Sequence, residues 1–224
     1  MKKYKLYFKK IIYVMGFKKN DKIVNKLDID NLFKKDKIFR KIQDAYGSPE
    51  NVIRPQGFIT LSKIIIGQQV SLESANSHFL KLSDYIKEFT PAQIIRLSDT
   101  ELRNCYITRQ KSEYLRSLSN AILNNELDLK NLSGEDQNKA RELLKKIKGI
   151  GDWTADIYLM FALQAKDIFP AGDVAVINAA IESTGFKTKK NVVEYSENWK
   201  PYRSLASFFL WHYYLKKRNR ELVL

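Results

Sequence analysis

Two places in the chain combine residue types and spacing suited to chemistry. The first is the turn Gly149-Ile150-Gly151 inside LLKKIKGIGDWTADIYLMF, residues 143–161. Two glycines around one aliphatic residue let the backbone turn sharply and come close to a partner. The amides that open the following helix then face outward at its positive dipole end, a sequence-independent site for a phosphate. A plain glycine C-cap between antiparallel helices accounts for the same residues without a ligand. The second place is Asp173, which closes FPAGD at 169–173. It stands where the apolar stripe Val174, Ile177, Ala180, Ile181 begins. Such an aspartate is either an N-cap or a carboxylate that the helix dipole and amide donors keep ionised. An ionised carboxylate stabilises positive charge that develops on a substrate.

The elements that must position these groups read as helices. From Lys37 onward a helical period dominates. Ile38, Ile42, Ala45 and Tyr46 share one face, and Gly47-Ser48-Pro49 stops that helix. Phe58, Leu61, Ile64 and Ile65 form the next stripe, which ends at Gly67-Gln68-Gln69. Ser71 caps a helix with Leu72, Ala75, Phe79 and Leu82 facing inward. Thr90-Pro91 is a cap followed by a first-turn proline, and Ser98 with Glu101 makes a capping box. Thr108 starts another helix, Ser133 opens the approach to Leu143, and the last strong helix runs from about Tyr202 to Lys217. Residues 1–36 are a basic, weakly patterned lead-in, with lysines flanking Tyr4, Tyr7, Phe8 and Tyr13. No strand pattern follows Lys37, so the expected fold class is all-α.

Composition narrows the partners. The chain has 224 residues, 44% of them hydrophobic, enough for one large domain or two small lobes. There are 39 Lys+Arg against 25 Asp+Glu, a formal net charge of +14. An excess of that size favours polyanions, although lysine-rich usage also adds merely solvated lysines. Cys105 is the only cysteine, which excludes an internal disulfide and a cysteine-ligated iron–sulfur cluster. His78 and His212 match no metal-site spacing. No apolar run is long enough to span a bilayer, and the basic N-terminus lacks the small-residue cleavage site of a signal peptide.

The motifs LxxIKGIGDWTADIYLMF, FPAGD at 169–173 and WKPYRSLASFFLWHYY at 199–214 resemble the 3-methyladenine DNA glycosylase II family. That family belongs to the helix-hairpin-helix, Gly-Pro-Asp superfamily of base-excision glycosylases. IIIGQQVSLESAN at 64–76 and TRQKSEYLRSL at 108–118 match the same pattern in the same order. The resemblance covers about Lys37 to Lys217. It implies a two-lobed helical glycosylase domain over 37–217 around a base-binding cleft. It leaves 1–36 as lead-in and 218–224 as tail, and no N-terminal β-domain is expected.

The resemblance implies Asp173 as the catalytic carboxylate. Glycosidic cleavage passes through an oxocarbenium-like state, which an ionised carboxylate stabilises. Strand-nicking members carry a nucleophilic lysine just past the second glycine; Trp153 stands in that place, so a monofunctional hydrolase without lyase activity is expected. A base must leave the stack to react, and the family fills the gap with a wedge residue. Gln69 is the expected wedge, with Gln68 as the alternative. Trp211 and Trp153 match pocket-side tryptophans, on whose faces electron-poor alkylated purines would stack; Tyr158 and Phe58 are further candidate walls. Gly149, Gly151, Thr154, Ser71, Arg109 and Lys111 are the candidate DNA-backbone contacts. The resemblance also suggests a structural Na+ or K+ on the main-chain carbonyls of Lys145, Ile147 and Ile150. No other cofactor is expected.

The expected function is removal of 3-methyladenine- or 7-methylguanine-type purines from double-stranded DNA by a cytoplasmic monomer, nucleoid-associated if the source is bacterial. Oxidised or deaminated bases form a second reading. A non-catalytic helix-hairpin-helix DNA-binding module is a third, and it gives a carboxylate at 173 no role.

Overall fold

The computed structural model describes residues 22–219. The first 21 residues, which hold most of the basic lead-in, and the last five lie outside the described residues. Among the described residues every regular element is helical. In chain order they are α1 (Lys26–Lys35), α2 (Lys37–Tyr46), α3 (Phe58–Ile66), α4 (Leu72–Ile86), α5 (Pro91–Arg96), α6 (Asp99–Asn104) and α7 (Arg109–Leu123). There follow α8 (Gln137–Lys145), α9 (Asp152–Phe161), α10 (Val174–Thr184), α11 (Lys189–Ser196) and α12 (Arg203–Lys217). Short 3-10 turns lie at Leu132–Gly134 and Glu197–Trp199. None of these helices is long and apolar enough to cross a membrane. The described helices divide into two compact units, one formed by residues 22–55 with 164–219, the other by Gln56–Leu163.

The first unit is built on α12, because seven consecutive residues, Ser204 to Leu210, are buried. Phe209 lies 5.8 Å from Phe33 and 5.9 Å from Phe39, ring centre to ring centre. Trp199, fully buried, meets Phe39 edge-on at 5.1 Å. Its indole N–H donates to Asp36 at 3.0 Å, and the same carboxylate caps α2 through the Ile38 amide at 3.0 Å. Buried Asp36 is therefore hydrogen-bonded, as a carboxylate in that position requires. The helical body begins upstream of Lys37: α1 contributes Leu32 and Phe33 to the core, and Ile23 before it is buried as well.

The second unit is centred on α3, apolar nearly all round, with Leu61, Ile64, Ile65 and Ile66 buried. A helix that is hydrophobic on every side is covered on every side, here by α4, α7 and α9. The caps form as expected: Ser71 accepts from Ser74, Thr90 from Gln93, Thr108 from Lys111, and Ser98 with Glu101 closes a full capping box. One start differs. Asp136, not Ser133, caps α8, and Ser133 sits in the preceding 3-10 turn. The Asp136 side chain accepts from two amides, those of Asn138 and Lys139.

Candidate active site and nucleic-acid interface

In the first unit, the loop from Gln164 to Asp173 is tied to its own surroundings at several points. Arg203, the first residue of α12, grips Asp167 with two parallel bonds, Nε to Oδ1 at 2.8 Å and Nη2 to Oδ2 at 3.0 Å. The paired, planar geometry is the strongest arginine–carboxylate arrangement. Ser204 donates its hydroxyl to the Ala165 carbonyl at 2.6 Å and accepts the Ile168 amide at 3.0 Å. Buried Gln164 accepts the Ile23 amide at 3.4 Å and donates to the Val52 carbonyl at 3.2 Å. A tight turn then brings the Asp173 amide onto the Pro170 carbonyl at 2.8 Å.

Asp173 is half-buried and is the N-cap of α10. Its Oδ1 accepts two donors, the Val176 amide at 3.0 Å and the Trp211 indole N–H at 3.1 Å. Asp173 is thus both the cap of α10 and the partner of Trp211. Trp211 was expected as a stacking wall; the structure adds a bond to Asp173 that holds the carboxylate's orientation. Trp211 itself meets Phe208 edge-on at 5.8 Å. Val174, immediately after Asp173, is 70% exposed despite being apolar.

In the second unit, the glycine turn joins α8 to α9. Gly149 has φ +94 and packs directly under the Tyr114 ring, where an added Cβ would lie 2.1 Å from Cγ. Gly151 caps α9 with ordinary extended backbone, φ −91 and ψ −175, and a Cβ there would meet nothing within 4 Å. Ile147 and Ile150 are buried, and the Ile150 amide returns to the Ile147 carbonyl at 3.0 Å. Arg141 of α8 reaches buried Asp156 of α9 at 3.0 Å and Asp152 at 3.4 Å. Breaking a buried ion pair leaves an uncompensated charge. Arg141→Met is therefore expected to cost about 3 kcal/mol, read as a lower urea midpoint, with an unchanged midpoint as the contrary result.

Several expected site residues take other roles. Gln68, the alternative wedge, has its amide committed to the Gly149 carbonyl and the Thr154 hydroxyl, both at 2.9 Å. Thr154 is correspondingly buried, with its hydroxyl turned to Gln68, so its side chain is committed inside the fold. Lys111 is only 8% exposed and donates to the Ile66 carbonyl at 2.6 Å. Burial pushes its pKa below the usual lysine range, and the ammonium is an internal donor rather than the expected phosphate contact. Tyr158 is fully buried and accepts the Gly57 amide at 2.9 Å, so it belongs to the core and walls no pocket. Phe58 is half-buried against Phe89 at 5.7 Å, and Trp153 is half-buried at the start of α9. Gln69, Ser71 and Arg109 are exposed, as outward-facing roles require.

Tyr158 also predicts a pH dependence. Burial pushes its hydroxyl up to about 12, against about 10 in an unfolded chain. The raised value means the fold binds the proton more tightly, so this contribution is whole below about pH 10 and is lost as pH rises towards 12. Tyr158→Phe should be less stable than wild type at neutral pH, having lost the acceptor for Gly57. The gap should shrink between about pH 10 and 12, as measured by urea unfolding at each pH; a constant gap would count against it.

A family model described as "HhH-GPD superfamily base excision DNA repair protein" matches residues 62–202. The chain belongs to that superfamily. A DNA-3-methyladenine glycosylase of Bacillus subtilis is 33% identical over 172 residues, covering 70% of this chain and 57% of the relative. An alkylbase DNA glycosidase-like protein of Schizosaccharomyces pombe is 31% identical, covering 66% of this chain and 74% of the relative. The chain thus spans little more than half the length of the Bacillus subtilis protein. Among solved structures, a DNA-3-methyladenine glycosidase of Bacillus halodurans superimposes with a TM-score of 0.76 at 26% identity, over 87% of this chain and 92% of that one. The expected all-α glycosylase fold class holds.

Proposed function

We propose that this protein is a DNA glycosylase for alkylated purines. The glycosidic C–N bond breaks and the base leaves with the bonding electron pair; water then adds to C1′ of the damaged nucleotide and releases its proton to solvent. A purine alkylated at N3 or N7 carries a positive charge before cleavage, so it departs neutral. Asp173 stabilises the positive sugar that forms between the two events. The observation that supports this most directly is the Asp173 carboxylate, set at the start of α10 by the Val176 amide and the Trp211 indole. The names of the Bacillus subtilis and Schizosaccharomyces pombe relatives support the choice of alkylated bases.

Gln69 fills the place left by the extruded base, Gly149-Ile150-Gly151 receives a backbone phosphate, and Ser71 and Arg109 add contacts to the duplex. Trp153, in place of a lysine, removes the amine that a strand-nicking mechanism needs. The carbonyls of Lys145, Ile147 and Ile150 are oxygen donors suited to a Na+ or K+ ion; the Ile147 oxygen also accepts the Ile150 amide and keeps a second lone pair. Such an ion would add positive charge beside the phosphate. The protein acts as a monomer in the cytoplasm.

Duplexes that each hold one defined lesion provide the test. The expected result is release of 3-methyladenine or 7-methylguanine, with an intact strand until heat or alkali is applied. Release of only oxidised or deaminated bases would reassign the substrate class. A borohydride-trapped adduct would overturn the monofunctional mechanism.

A further inference from the structure

The turn Gly67-Gln68-Gln69 at the end of α3 is held from two directions within the second unit. Gln69 has φ +57, a left-handed backbone that a non-glycine residue adopts at a cost of about 1 kcal/mol. Such a conformation persists where its surroundings over-determine it. From α7, buried Lys111 donates to the Ile66 carbonyl, one of the acceptors left open at a helix C-terminus. From the hairpin, the Gly149 carbonyl and the Thr154 hydroxyl both accept from the Gln68 amide at 2.9 Å. Gln68 and Gln69 therefore divide the work of two adjacent amides. One points inward to the hairpin, and the other is exposed.

We propose that Gln68 is a positioning residue that couples the phosphate-binding hairpin to the wedge, setting where Gln69 stands relative to Gly149. The proposal rests on the glycosylase reading above. The hairpin fixes the backbone beside the damaged nucleotide, and Gln68 transmits that register to the turn, so Gln69 enters the stack at the right step. The role concerns extrusion of a stacked base and leaves bond cleavage untouched.

The variant Gln68→Glu keeps the side-chain length but presents a carboxylate that cannot donate to the Gly149 carbonyl. Single-turnover excision of a lesion in a fully paired duplex should fall about tenfold, as the loss of one or two hydrogen bonds allows. Excision of the same lesion inside a mismatched bubble, where extrusion costs little, should fall less than about twofold. Gln69→Ala should show the same pattern, and the double variant should lose no more than the worse single. Thr154→Val, which removes one of the two acceptors, should shift excision the same way by less. Equal losses in duplex and bubble, or losses that multiply in the double variant, would overturn the coupling. 2-Aminopurine placed beside the lesion site reports unstacking without any cleavage. A wild type that unstacks it in a Gln68-dependent way yet excises no base would support the coupling and overturn the glycosylase reading. A wild type that excises while Gln68→Glu unstacks equally well would overturn the coupling alone.

Discussion

Asp173→Asn is expected to abolish most excision while leaving the fold intact. The substitution is nearly isosteric, and asparagine is as good an N-cap as aspartate. Its amide oxygen can accept the Val176 amide and the Trp211 indole, the two bonds that Oδ1 now receives. The change therefore removes the charge and keeps the structural function. Groups of this kind, aimed at charge that develops in the transition state, contribute about 3–4 kcal/mol. Single-turnover excision should then drop by about a hundred- to a thousandfold, with the urea midpoint close to wild type. Trp211→Phe makes a useful comparison: it keeps an aromatic ring but deletes one donor to Oδ1, so its loss should be smaller. If Asp173→Asn cleaves as fast as wild type, Asp173 is only a helix cap. If it unfolds, the cap and the chemistry have not been separated, and Asp173→Ser, which keeps a capping oxygen, must show the same loss of excision at normal stability.

What could be read from the sequence was what is local in the chain. A cap is a bond between residues two or three apart, so Thr90, Ser98 and Thr108 declare their helices through their immediate neighbours. The glycine turn and Asp173 were visible for the same reason: each marks a helix boundary. The misassigned residues bond across long stretches of chain. Gln68 reaches residues 149 and 154, and Lys111 reaches residue 66. The clamp of Arg203 on Asp167 and the bond from Trp211 to Asp173 span 36 and 38 residues. Nothing in local spacing announces such pairs. Two signals were nonetheless available. Lys111 shares the α7 stripe with buried Leu115 and Leu118, so its position foretold an inward-facing ammonium. Tyr158 stands in the run from Ala155 to Phe161, apolar but for Asp156, and a helix without a polar face has no side to spare for a pocket. The upstream start of the body was hidden because α1 offers little beyond Leu32 and Phe33 to its core.

The two hairpin glycines should respond in opposite ways to the same added methyl group. At Gly149 the methyl meets two obstacles. The backbone is left-handed at φ +94, which costs a non-glycine residue about 1–2 kcal/mol. The new Cβ would also fall 2.1 Å from Cγ and 2.6 Å from Cβ of Tyr114, against the root of the side chain. Tyr114 cannot retreat freely, since its hydroxyl is held by Gln110 at 2.7 Å and its helix packs on α3. Overpacking of this kind adds about 1–3 kcal/mol, so Gly149→Ala should lower stability by about 2–5 kcal/mol. At Gly151 neither obstacle exists: the backbone is ordinary and a Cβ meets open space. The free protein therefore gives no reason for a glycine there, whereas close approach of a phosphate to the α9 amides gives one. Gly151→Ala should melt with the wild type yet bind duplex DNA more weakly, by about tenfold for the loss of one or two amide–phosphate bonds. Urea unfolding and a DNA titration at fixed salt measure both. Normal affinity in a normally folded Gly151→Ala would remove the hairpin from the interface.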